Sequence, residues 1–102
     1  MARKRKDRSS ETIAICGREI VIEYKRNLVT DDGCLYPDDA EIHVDLTAVR
    51  EPDQILFHEM IHAALAYSGL VDLLTDEVEE AICSCLEQNL FPHIKLRPRE
   101  KI

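Results

Sequence analysis

No apolar run in this chain approaches the roughly 18 residues that a bilayer crossing requires, so no membrane span is expected. The basic opening, Met1 to Arg8, lacks the apolar core that would follow it in a secretory signal, and the expected location is the cytoplasm. Internal repeats and low-complexity tracts are missing too, which leaves out solenoid architectures. Cysteine spacing gives no metal knot: the only close pair, Cys83-Ser84-Cys85, has one intervening residue where structural zinc sites use two to four. Cys16, Cys34, Cys83 and Cys85 are expected to be reduced and packed mainly as small apolar side chains.

What is present is 102 residues, enough for one modest core and too few for a separate substrate domain. Apolar residues make up 45% and charged residues 32%, ordinary for a soluble globular chain. The net charge of −7 is unevenly spread. Residues 1–10 carry +4 and residues 93–102 carry +3, which leaves −14 on the body between them. An acidic body argues against a primary nucleic-acid face, and the basic ends allow weak attachment at most. Residues 1–11 are expected to form a disordered basic leader, 12–92 the folded domain and 93–102 a basic tail.

The chemistry concentrates in His58-Glu59-Met60-Ile61-His62, a His-Glu-x-x-His run inside a helix-like stretch. Helical residues four apart share a face, so the two imidazoles can reach one metal ion, and zinc suits that pair. Glu59 stands beside the ion, where its carboxylate can take a proton from water. Two solvated helix histidines would be the bland alternative, but a plausible third ligand downstream weighs against it.

Around this stretch the pattern reads as short strands followed by two helices. Thr12 to Cys16 and Glu19 to Tyr24 are β-branched runs parted by Gly17-Arg18, with Ile20 and Ile22 on one face and Val21 on the other. A turn at Asp31-Asp32-Gly33 precedes a possible short strand at Cys34 to Tyr36. Glu41 to Asp45 alternates with period two, placing Ile42 and Val44 inward and His43 and Asp45 outward. Pro52 opens the metal helix and Gly69 stops it; Thr75 caps a second helix from Asp76 to about Leu90, antiparallel to the first. The fold class is therefore α+β, a short and mostly antiparallel N-terminal sheet packed on an active-site helix and a following C-terminal helix.

Two histidines need at least one more protein ligand, and catalysis needs a position left for water. On the second helix Glu79 shares its face with Ile82, Cys83 and Leu86, whereas Glu80 lines up with Ser84 and Glu87 on the polar side. Glu79 is the choice for third ligand and Glu80 the alternative.

A His-Glu-x-x-His helix followed by a helix with a ligand glutamate resembles the gluzincin metallopeptidases. The compact layout, with His58-Glu59-Met60-Ile61-His62-Ala63 and then Glu79-Glu80-Ala81-Ile82, looks like the minimal zincin-like proteins of phages and prophages. It is also similar to the catalytic core of the ImmA/IrrE-type metallopeptidases. The resemblance spans residues 12 to 90 and implies a zincin-like fold. Two departures stand out. No histidine follows the metal helix before His93, unlike proteins of the SprT type, and there is no room for the second domain that supplies an oxyanion-stabilising group in longer gluzincins. Tyr36, His43 and Tyr67 are the candidates for that role or for substrate contacts.

The function expected is a zinc-dependent metallopeptidase, Zn2+ being held by His58, His62 and Glu79, with Glu59 as general base. Its partner would be a peptide or protein substrate, extended along Glu41 to Asp45. The alternative is a catalytically weak or inactive zincin-like binding protein with a structural zinc. Nothing in the sequence fixes the oligomeric state.

Overall fold

The structure, a computed structural model, describes residues 10–29 and 31–94. Its elements run β1 (Ser10–Ile15), β2 (Arg18–Lys25), β3 (Gly33–Tyr36), β4 (Glu41–Asp45), α1 (Pro52–Tyr67) and α2 (Asp76–Asn89), with 3-10 turns at Leu70–Leu73 and Phe91–His93. This is a small α+β domain with a four-stranded mixed sheet and two helices. Residues 1–9 of the expected leader and 95–102 of the expected tail lie outside the described residues. At the inner ends of those segments, Ser10 and Glu11 belong to β1, and His93 ends a 3-10 turn.

The sheet order is β1-β2-β4-β3. The first hairpin turns at Cys16-Gly17, both at positive φ (53° and 76°), one residue earlier than the sequence suggested. Two successive left-handed residues match the twist of a tight hairpin, and Gly17 adopts that conformation without a Cβ penalty. β1–β2 and β3–β4 are antiparallel, but β2 and β4 run parallel, with Ile22 opposite Ile42 and Tyr24 opposite Val44. This interior place for β4 corrects the expectation that a substrate could extend along Glu41 to Asp45, because both sides of that strand are already paired. Among the described residues, β1 and β3 are the edge strands.

Alternation along β2 and β4 sends Ile20, Ile22, Ile42 and Val44 into the core, where each is fully buried together with Ile55. α1 packs on β3, β4 and β1, and α2 packs on α1. Asp45 was expected to face outward, yet it is buried. Its carboxylate accepts hydrogen bonds from the backbone N–H groups of Asn27, Leu28 and Thr47 and from the Thr47 hydroxyl. These donors hold its pKa below the ordinary aspartate value, the Thr47 hydroxyl contributing most.

Both helix starts follow local chemistry. Pro52 occupies the first turn of α1, where its missing N–H costs nothing. The Thr75 hydroxyl accepts from the Val78 N–H at 3.1 Å, capping α2. Gly69, at φ 85°, follows the Ser68 C-cap of α1 and turns the chain into the 3-10 turn Leu70–Leu73.

Candidate metal centre

The buried face of α1 is not purely apolar: His58 and Glu59 are each 7% exposed, in line with Ile55, Leu56 and Ala63. Facing them, α2 presents Glu80, Cys83 and Glu87, residues three, four and seven apart that share one helical face, with Glu79 one turn before Cys83. Glu79 is the more inward of the adjacent pair, with 17% of its side chain exposed against 59% for Glu80. Helical periodicity anticipated that difference. It placed Glu87 on the polar side, however, and Glu87 is only 5% exposed.

Each imidazole lies between two carboxylates. His58 Nδ1 is 2.7 Å from Glu87 Oε1, and His62 Nδ1 is 2.6 Å from Glu79 Oε2. The two Nε2 atoms meet at a single group: His58 Nε2 is 3.0 Å from Glu80 Oε2 and His62 Nε2 is 3.1 Å from Glu80 Oε1. A neutral imidazole carries one N–H and one lone pair. With a carboxylate oxygen at both nitrogens, each neutral ring has one nitrogen lone pair facing an acceptor, a place where a cation could sit.

Glu87 is fastened from three sides, by His58 Nδ1, by Arg50 Nη1 at 2.8 Å and by Gln54 Nε2 at 2.6 Å. Burial alone would raise its pKa, but these three hydrogen bonds outweigh it and hold the carboxyl below its ordinary value. Arg50 also donates from Nε to Asp32 at 3.3 Å, joining the segment just before α1 to the turn before β3. Burial lifts the Glu59 carboxyl above its ordinary value, and the charges of His62 and His58 offset only part of that.

Cys83 is fully buried, and a ligand atom from each of His58, His62 and Cys83 lies within 4.8 Å of the others, a group that could hold a metal ion. The surroundings oppose a thiolate: burial first, then Glu80, Glu79, Glu59 and Glu87, push the Cys83 thiol up to about 12. The expectation of packed cysteines fits Cys83, while Cys16 and Cys85 are exposed.

A cleft of about 970 Å³ opens over these groups, lined on one side by Gly33, Cys34 and Leu35 of β3 and on the other by His58, Glu59, His62 and the α2 carboxylates. Tyr36, His43 and Tyr67 are not among its lining residues. His43 pairs with Glu41 and packs its ring against that of Tyr36 at a tilt of 55°, and the Tyr67 hydroxyl donates to the Pro37 carbonyl at 2.8 Å, its ring beneath Arg18. In their place the cleft holds Arg50 and Gln54, two donors that sequence reasoning missed. For Gln54 the available signal was its register, four residues before His58 on the same helical face; Arg50 precedes the helix and has no such signal.

No helix among the described residues is long and apolar enough to cross a membrane. No protein family, curated protein or solved structure matches the chain in comparison.

Proposed function

We propose that the chain is a zinc-dependent peptidase that holds its metal through Nε2 of His58, Nε2 of His62 and the carboxylate of Glu80. One observation carries this reading. Both rings give Nδ1 to a carboxylate and direct Nε2 at a common third one, the arrangement in which a histidine ligand is oriented by its other nitrogen. The donor set fits the ion: two imidazoles and one carboxylate are a gluzincin-like set, and several carboxylates around one guanidinium favour a divalent cation. Glu80, the alternative in the sequence, is thus preferred to Glu79, which is placed to fix the His62 ring instead.

Zinc, when bound, would supply Lewis acidity that polarises a peptide carbonyl and lowers the pKa of water toward roughly 7. Glu59 would take the proton from that water and pass it to the leaving amine. Burial raises its pKa above the ordinary glutamate value, which makes the carboxylate a readier proton acceptor. The substrate is expected to lie extended along β3, the edge strand among the described residues that walls the cleft.

The test is metal analysis of the purified protein beside Glu80→Ala and Glu59→Gln. Stoichiometric zinc is expected in the wild type and in Glu59→Gln, with loss in Glu80→Ala and cleavage of an unstructured protein by the wild type alone. A wild type without zinc ends the reading.

The position of Cys83 favours a second reading, a structural zinc in an inactive binding protein. A thiolate added to the two imidazoles and Glu80 would close the site to water. Cobalt substitution separates the two, because a sulfur ligand adds an intense near-ultraviolet charge-transfer band that Cys83→Ser would remove.

A further inference from the structure

Gly33 opens β3 on the buried side of the sheet, and its backbone is not in the left-handed region. Conformational freedom therefore does not explain a glycine there; the space around it does. A Cβ at this position would stand 2.5 Å from Ile55 Cγ2, 3.2 Å from Glu59 Cγ and 3.3 Å from Glu59 Oε2. The backbone cannot readily back away. Gly33 sits opposite the fully buried Val44 in β4, and the preceding Asp32 is tied by its carbonyl to the Asp45 N–H at 2.8 Å and by its side chain to Arg50. Ile55 is itself fully buried. The three atoms nearest to a methyl group added at the head of β3 would thus belong to a core side chain, Ile55, and to the Glu59 side chain, its carboxylate included.

We propose that Gly33 is a positioning residue for Glu59: the bare backbone at the head of the edge strand sets where that carboxylate stands against the two imidazoles. The catalytic consequence rests on the peptidase reading. The packing does not, and this allows the two to be tested apart.

The decisive comparison uses Gly33→Ala, Ile55→Leu and the double variant, all zinc-loaded. Ile55→Leu removes the Cγ2 branch that the new methyl would strike while nearly conserving volume. Gly33→Ala should lower both the melting temperature and kcat. In the double variant the melting temperature should return to that of Ile55→Leu, while kcat stays about 100-fold down with KM and zinc content unchanged, as expected for a misplaced catalytic group. Recovery of kcat together with the melting temperature would reduce Gly33 to a packing glycine and overturn the proposal.

A readout without turnover uses acetohydroxamate, a zinc chelator whose acidic proton passes to a neighbouring carboxylate. Its affinity, measured by calorimetry, should fall in Glu59→Gln and in Gly33→Ala/Ile55→Leu, and the two losses should not add when combined. Additive losses would overturn the proposal. A wild type that holds zinc but cleaves nothing sinks the peptidase reading alone, and the affinity cycle still decides on Gly33.

Discussion

Glu79 and Glu80 are neighbours in the chain, yet they touch opposite nitrogens of the same His62 ring. Burial and ligation are therefore separate questions: the more inward carboxylate holds Nδ1, and the more exposed one spans both Nε2 atoms. On the proposed reading Glu80→Ala should abolish stoichiometric zinc, whereas Glu79→Gln should weaken zinc affinity by about 10–100-fold, the usual effect of losing a group that orients a ligand. Competition with a chromophoric chelator measures both. Asp45 gives a prediction about pH. Its folded pKa is depressed, so its contribution to stability is complete above the unfolded value of about 3.9 and is lost as pH falls through the lower folded value. Asp45→Asn should therefore lower the melting temperature at neutral pH, with the gap to wild type closing only in acid below about pH 4.

At the scale of elements, α1 and α2 meet through a polar seam, and that seam was the part hardest to read. The helix boundaries were legible because Pro52, Gly69 and Thr75 act locally. The core face of β2 and β4 was legible because a period of two leaves Ile20, Ile22, Ile42 and Val44 one destination. Glu87 was not. Its burial depends on Arg50, 37 residues earlier in the chain, and no local pattern announces a partner at that distance. The parallel pairing of β2 with β4 escaped for a similar reason, since β3 and its turns stand between them in sequence. If the seam is held as described, Arg50→Met should cost about 1–2 kcal/mol in urea unfolding. That is less than a fully buried pair would lose, because 35% of the Arg50 side chain remains exposed. Thr75→Ala should cost about 1 kcal/mol through the lost cap, without changing zinc affinity.

Across the whole molecule, the sheet, α1 and α2 are stacked so that one cleft reaches both the edge strand and the helix seam. Binding at that junction should stabilise the entire domain. Zinc at 100 times its dissociation constant would add about 2.7 kcal/mol, visible as a melting temperature that climbs with free zinc and falls on chelation. A melting temperature indifferent to zinc would count against a metal at this place. The edge itself has a further consequence. β3 is only four residues long, about 13 Å of extended chain, and is followed at once by the turn through Pro37. A target on the peptidase reading must surrender a short stretch of its own backbone to this ledge. Tightly folded proteins should therefore survive incubation intact, and their frayed ends, nicked loops and heat-loosened forms should be cut first.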